Sequence, residues 1–250
     1  MEYKTAIVTG SGRGIGKETA ILLSKMGLNV VICSRTQKEI DSTVKEIKET
    51  IKSTKQGDGT ITAAKEDSIL GIKCDVSKAS EIDYVVKSTI ENFRSIDILV
   101  NNAGIVYVKK LIDTSEKEWD ETIDINLKGA FLFSKAVLPF MIKNGYGVII
   151  NVSSGAGKTG FPDISAYCAS KFGMIGLTES LAWEVENYNI KVMAICPGEV
   201  DTKMQHDVDL DYYKKNKDKM LKPNQVAERI IDMIFDYKGK YDNGQSIEVG

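Results

Sequence analysis

Three side chains in this 250-residue chain are spaced for chemistry: Ser154, then Tyr167 thirteen residues on, then Lys171 four further. On a helix the i, i+4 spacing sets Tyr167 and Lys171 on one face, where the ammonium acts on the phenol. A unit charge ~4 Å away, at an effective dielectric of ~20, is worth about 4 kcal/mol. That is enough to bring a tyrosine pKa from about 10 to roughly 7, so the expectation is a phenol that trades protons at working pH. Ser154 would then donate a hydrogen bond to an oxygen that gains charge in the reaction.

The Tyr-x-x-x-Lys spacing alone says little. With ten tyrosines and twenty-nine lysines it is expected about once by composition, and a second copy stands at Tyr213 and Lys217. Context separates the two. Tyr167 follows Gly147-Val-Ile-Ile-Asn-Val152, an apolar run that reads as a buried strand, whereas Tyr213 lies in a charged stretch with Val200 thirteen residues before it.

A second constellation, Gly10-Ser11-Gly12-Arg13-Gly14-Ile15-Gly16, joins the first strand-like run to the first helical one. Its glycines permit positive φ and let backbone N–H groups approach a pyrophosphate at a helix N-terminus. The pattern is Thr-Gly-x-x-x-Gly-x-Gly, since Ile15 and Lys17 fall where G-x-G-x-x-G requires its third glycine. After the second strand, where an acid would accept from a free ribose 2′-OH, the chain reads Ser34-Arg35. A guanidinium forks onto phosphate and a carboxylate would repel it, so the cofactor reading is NADP(H) over NAD, with Arg13 adding a second positive charge.

The elements that must position these groups alternate. Strands are expected at Thr5–Thr9, Asn29–Cys33, Gly71–Cys74, Ile96–Val100, Val148–Val152, Lys191–Cys196 and Ser246–Val249. Helices are expected at 14–26, 36–51, 78–93, 115–144, 165–188 and 223–237. This is the pattern of βαβ units, and right-handed crossovers place the helices on both faces of a doubly wound α/β domain with a seven-stranded parallel sheet. Two stretches break the alternation. Residues 52–69 are polar and carry Gly57 and Gly59, the marks of an inserted surface loop, while 199–222 is dense in Asp and Lys. The latter follows a strand end, where open parallel sheets bind ligands, so it is expected to be an irregular substrate loop.

Composition narrows the function. One core is expected for a chain of this length with 42% hydrophobic residues. A formal charge of −2 gives no cationic field for nucleic acid. Cys33, Cys74, Cys168 and Cys196 lack metal-ligand spacing, and three of them lie in or at the end of apolar runs, where a thiol packs as a small hydrophobe, which points to a reducing, cytoplasmic compartment. No metal cluster is seen, and no apolar run approaches the ~20 residues of a membrane span. His206, the only histidine, sits in the polar loop, and Ser154 lacks the G-x-S-x-G elbow, so hydrolysis is disfavoured.

Thr9-Gly10-x-x-x-Gly14-x-Gly16, Asp75-Val76, Asn101-Asn102-Ala103-Gly104, Asn126, Ser154, Tyr167-x-x-x-Lys171, Pro197-Gly198 and Thr202 stand in one order across nearly the whole chain. In this the sequence resembles the short-chain dehydrogenase/reductase family. The resemblance implies one Rossmann-like domain over 1–250. It also implies that Asp75 and Val76 hold the adenine and that the Asn102–Gly104 backbone supports the ribose. Val200 and Thr202, after Pro197 and Gly198, would meet the nicotinamide carboxamide. Asn126 resembles the asparagine that links the lysine through water to solvent, and Lys171 would also hold ribose hydroxyls. Ser153 is a rival for the catalytic serine, and the family interval to the tyrosine selects Ser154.

Within the family the frame looks most like the 3-oxoacyl thioester reductases. Carrier-protein reductases commonly place arginines on the tyrosine helix, however, and the matching positions here are Trp183 and Tyr188, amid Glu184 and Glu186. An acidic patch repels an acidic carrier, which favours a small-molecule or CoA-linked carbonyl. Apolar positions such as Phe131, Phe133, Leu138, Phe172, Met174 and Leu177 exceed the need of one sheet face, so a homo-oligomer is expected, a tetramer before a dimer. An alcohol or sugar dehydrogenase running in the oxidative direction is the alternative within the class. Outside it stand an NADP sensor, which would not need Ser154, Tyr167 and Lys171 together, and a scaffold recruiting partners through 52–69 and 199–222.

Overall fold

Thr5–Thr9 (β1) is buried along its whole length, as is Gly147–Val152 (β5), the signature of strands covered on both faces. With Asn29–Ser34 (β2), Ile69–Lys73 (β3), Ile98–Asn101 (β4), Ile190–Pro197 (β6) and Ser246–Val249 (β7) they form one parallel sheet in the order β3-β2-β1-β4-β5-β6-β7. The computed structural model describes residues 3–54, 65–236 and 238–250.

Side-chain alternation along the strands feeds two cores. Ala6 and Val8 point to one face, where they meet Ala20 and Leu23 of Gly14–Lys25 (α1), Ile40 and Ile47 of Gln37–Thr54 (α2), and Val226 and Ile230 of Pro223–Ile234 (α9). Ile7 points the other way, toward Ile82 and Val85 of Ala79–Phe93 (α3), Phe133 and Val137 of Gly129–Asn144 (α5), and Leu181 of Ser165–Glu184 (α6). A buried polar ladder crosses the second layer. Asn101 donates to Asn151 at 2.9 Å and to Ser134 at 3.2 Å, and Asn151 donates to Thr178 at 2.9 Å. It fixes how α5 and α6 sit on the strands that carry the site.

The strand order reverses beside β1, whose partners are β2 on one side and β4 on the other. Consecutive crossovers leave that point in opposite directions, and a crevice opens at the carboxyl ends of the strands.

Several expectations change in detail. The helix expected over 115–144 is two helices, Glu116–Ile123 (α4) and α5, joined by a π-helical turn at Asp124–Lys128 that holds Asn126. The helix expected over 165–188 ends at Glu184, followed by a 3₁₀ turn at Glu186–Tyr188 that Asn189 closes at φ 55°. The 52–69 loop is trimmed at both ends, since α2 reaches Thr54 and a 3₁₀ turn at Glu66–Ser68 leads into β3. Its middle, 55–64, lies outside the described residues.

The stretch at 199–222 is also more ordered than expected. It folds into Lys203–Val208 (α7), which Thr202 caps by accepting from the Gln205 N–H, and Leu210–Asn216 (α8), which Asp209 caps through the Tyr212 N–H. Glu116–Asn144 is long and apolar enough to cross a membrane by length and composition, against the expectation of no such stretch. Its apolar residues have another use, because Phe133, Val137 and Met141 are wholly buried against the sheet.

Candidate active site

Ser154 stands just past the end of β5, where the chain leaves the sheet and its hydroxyl accepts from the Ala156 N–H at 3.2 Å. Tyr167 and Lys171 come from the first turns of α6, which packs against this strand end. The Ser154 hydroxyl stands near enough to the Tyr167 phenol to pull its pKa down. Ser153, the rival serine, is buried and donates to the Lys171 carbonyl at 3.0 Å, which makes it a brace for the helix.

Lys171 is buried, and its ammonium donates to the Val152 carbonyl at 2.7 Å while lying 5.5 Å from the centre of the Tyr167 ring. Burial brings its pKa down to about 8, because the charged form loses water. Burial likewise pushes the Tyr167 phenol up from 10, and the nearby Ser154 side chain only partly offsets this. The expected lowering of the phenol by the lysine is therefore not what the geometry gives. The ammonium is committed to the carbonyl of Val152, the last residue of the strand, and desolvation is the largest influence on the phenol. At neutral pH the pair is a protonated phenol beside an ammonium.

Asn126 is wholly buried in its π-helical turn, a distortion frequent at functional sites. Its side chain accepts from the Ile105 N–H at 2.8 Å, donates to the Ile105 carbonyl at 2.9 Å, and donates to Ser170 at 3.0 Å. Ser170 in turn donates to the Tyr167 carbonyl at 2.7 Å, so Asn126 locks the loop after β4 to the tyrosine helix. A Cβ on Gly104 would lie 3.4 Å from Asn126 Oδ1 and 3.7 Å from Lys171 Nζ, which places both groups around one small residue.

These groups open onto a cleft of about 810 Å³ that runs along the carboxyl ends of the strands. At one end it is lined by Gly10, Arg13, Gly14 and Ile15, with Ser34 and Arg35 from the end of β2. Val76, Asn102, Ala103 and Gly104 line its middle, beside Ser154, Tyr167 and Lys171. Pro197, Gly198, Val200 and Thr202 close it from the β6 side. The outer wall is made of Val106, Val108, Phe161 and Ile164, which the sequence reading missed, and of Met204 and Val208, which lie in the stretch expected to be a substrate loop though neither was singled out. These come from loops and from α7, which carry no periodic pattern to single them out.

Four expected cofactor or catalytic residues stand outside this lining. Ser11 is buried, donating its hydroxyl to the Val8 carbonyl at 2.7 Å and accepting from the Cys33 N–H at 3.0 Å, so it ties the turn to the sheet. Gly16 is small for packing, since a Cβ there would fall 2.4 Å from Asn102 Nδ2. That amide donates to the carbonyls of Thr9 and Gly10 and holds the turn's shape. For Asp75, burial raises the carboxyl but the Ser77 hydroxyl and N–H outweigh it and hold the group below its ordinary range. Asn126 acts from behind, through the contacts above.

The turn fits a dinucleotide. Gly10 and Gly14 have φ of 62° and 58°, and a Cβ on Gly14 would point toward Thr202 across the cleft. The first turn of α1 has no side-chain cap and no acidic residue, which leaves its N–H groups to an anion. One feature of the adenosine end was not foreseen. Arg13 pairs with Glu39 at 2.8 Å and Arg35 with Glu121 at 3.6 Å.

A family model described as short chain dehydrogenase matches residues 4–212. A 3-oxoacyl-[acyl-carrier-protein] reductase of Synechocystis is 33% identical over 98% of this chain and 95% of its own. One of Staphylococcus epidermidis is 35% identical over 98% and 97%. An uncharacterized oxidoreductase of Thermotoga maritima is 40% identical over 78% of this chain and 71% of its own. Among solved structures, levodione reductase superposes with a TM-score of 0.87 at 26% identity, covering 98% of this chain and 95% of that one.

The buried ammonium gives a stability test. Its folded pKa of about 8 lies below the ordinary lysine value, so between these two pH values the unfolded chain holds the extra proton and stability rises with pH. Below about pH 8 both states carry the proton and the penalty is full. Lys171→Met should therefore raise Tm by several degrees at pH 7, with the gain shrinking toward pH 10. A Tm difference independent of pH over that range would contradict the assignment.

Proposed function

Since the chain belongs to the short-chain dehydrogenase family and is an oxidoreductase, we propose that it reduces a carbonyl with NADP(H), Tyr167 supplying the proton. The observation that carries this reading is that Ser154, Tyr167 and Lys171 line one cleft whose far end is the glycine turn. A bound nicotinamide would contribute the hydride. Tyr167 gives its proton to the substrate oxygen, and Ser154 steadies the charge on that oxygen as it grows. Lys171 keeps a positive charge beside the phenol, which favours the phenolate left after transfer. Asn126 holds the helix turn from which both project.

Direction follows from the same chemistry. A phenol that burial keeps protonated at neutral pH holds the proton that reduction consumes, which supports reduction as the working sense. The cofactor choice rests on Arg13 and Arg35 lining the adenosine end, where a 2′-phosphate would lie. For the substrate, the curated relatives named as 3-oxoacyl reductases and the apolar outer wall support a 3-oxoacyl thioester or a related small ketone. Trp183 is three-quarters exposed between acidic neighbours on α6, which supports a small or CoA-linked substrate over an acidic carrier. A cytoplasmic homo-tetramer completes the reading. Phe131 on α5 and Phe172 on α6 are each nearly half exposed, while Phe133 and Met174 on the same helices are absorbed by the core.

Tyr167→Phe should lower kcat for NADPH-dependent reduction of acetoacetyl-CoA by at least about 10²-fold with little change in cofactor affinity. Undiminished turnover in that variant would remove Tyr167 from the mechanism. Light scattering should report a mass near four chains, and a mass of one chain, 27.6 kDa, would remove the oligomer from the reading.

A further inference from the structure

The adenosine end of the cleft holds a carboxylate that opposes its arginines. Glu39, in the first turn of α2, lines the cleft and pairs with Arg13 at 2.8 Å, while its second oxygen lies 3.5 Å from the Ser34 hydroxyl. It is held there by close packing. A Cβ on Gly12 would sit 2.8 Å from Glu39 Cβ and 3.1 Å from Glu39 Oε2, and Thr43, one helical turn further on, donates to the Gly12 carbonyl at 3.2 Å. The glycine turn and the start of α2 are thus one surface. The Glu39 side chain is 28% exposed against 58% for Arg13, so the carboxylate is the more fixed partner and the guanidinium the freer one.

We propose that Glu39 is a specificity-determining residue that holds back the preference for a 2′-phosphorylated cofactor by competing with the phosphate for Arg13. The inference rests on the NADP(H) reading of this site. A 2′-phosphate, with about −1.5 to −2 charges, must take Arg13 from Glu39 and then bear a carboxylate nearby. A free 2′-hydroxyl meets neither obstacle and can donate to a carboxylate, so NAD(H) remains usable. Arg35 has its own counter-ion in Glu121, which also accepts from the Tyr107 hydroxyl at 2.9 Å. Neither arginine at this end is therefore without a carboxylate partner.

The test is calorimetric binding of NADP⁺, NAD⁺, adenosine 2′,5′-bisphosphate and 5′-AMP to the wild-type chain, Glu39→Gln, Arg13→Met and the double variant. Glu39→Gln should tighten NADP⁺ and the bisphosphate by about tenfold, equivalent to 1.36 kcal/mol. NAD⁺ and AMP should stay level or weaken. The gain should shrink to threefold or less in the Arg13→Met background, because the competition runs through that guanidinium. An unchanged NADP⁺/NAD⁺ ratio, or an equal gain for all four ligands, would overturn the proposal, and an undiminished gain without Arg13 would overturn the pairing. A wild-type chain that binds NAD⁺ more tightly than NADP⁺ would instead defeat the NADP(H) reading, while a Glu39→Gln shift toward the phosphorylated pair would still uphold the role of Glu39.

Discussion

A positive charge buried at the end of a β-strand is the constraint on which the site turns. Lys171 surrenders its water to stand beside Tyr167, and the Val152 carbonyl at 2.7 Å is the hydrogen-bond partner recorded for its ammonium. An isolated buried ammonium would neutralise, so the strand end must supply a fixed acceptor. β5 does this because its last residue is buried and paired with β6, which holds the Val152 carbonyl at the carboxyl end of the strand. Ser153 then braces the lysine's own carbonyl from the same strand end.

The surrounding fold serves that placement. The Asn101-Asn151-Thr178 ladder sets α6 against β5, and Asn126 with Ser170 sets the loop after β4 against the tyrosine's turn. Each buried polar group in these chains must find its partner, so small displacements are costly and the register of helix on strand is well defined. The strand reversal beside β1 brings the glycine turn to the same edge of the sheet. The Ser154, Tyr167 and Lys171 group and the glycine turn thus share one cleft without sharing an element.

Features local in the chain were legible from sequence. The apolar runs gave all seven strands to within about two residues, since each needs only near neighbours to be recognised. Ser154, Tyr167 and Lys171 were legible as a set because the strand before them and the i, i+4 spacing are both local. What stayed hidden depends on distant partners. The pairing of Arg13 with Glu39 joins residues twenty-six apart, and the π-helical turn at Asn126 exists to meet the backbone of Ile105. The sign of the tyrosine shift was misjudged for the same reason. A point charge can be placed from spacing, but desolvation is set by everything that packs around the ring.

Burial brings the Lys171 pKa down to about 8, which leaves the group charged at neutral pH next to a phenol that keeps its proton. NMR titration of the Lys171 side chain, assigned by its loss in Lys171→Met, tests this without reference to any substrate. The midpoint should fall at about 8. A midpoint at the ordinary lysine value of about 10.4 would show a solvated ammonium, and the arrangement described for this site would be contradicted.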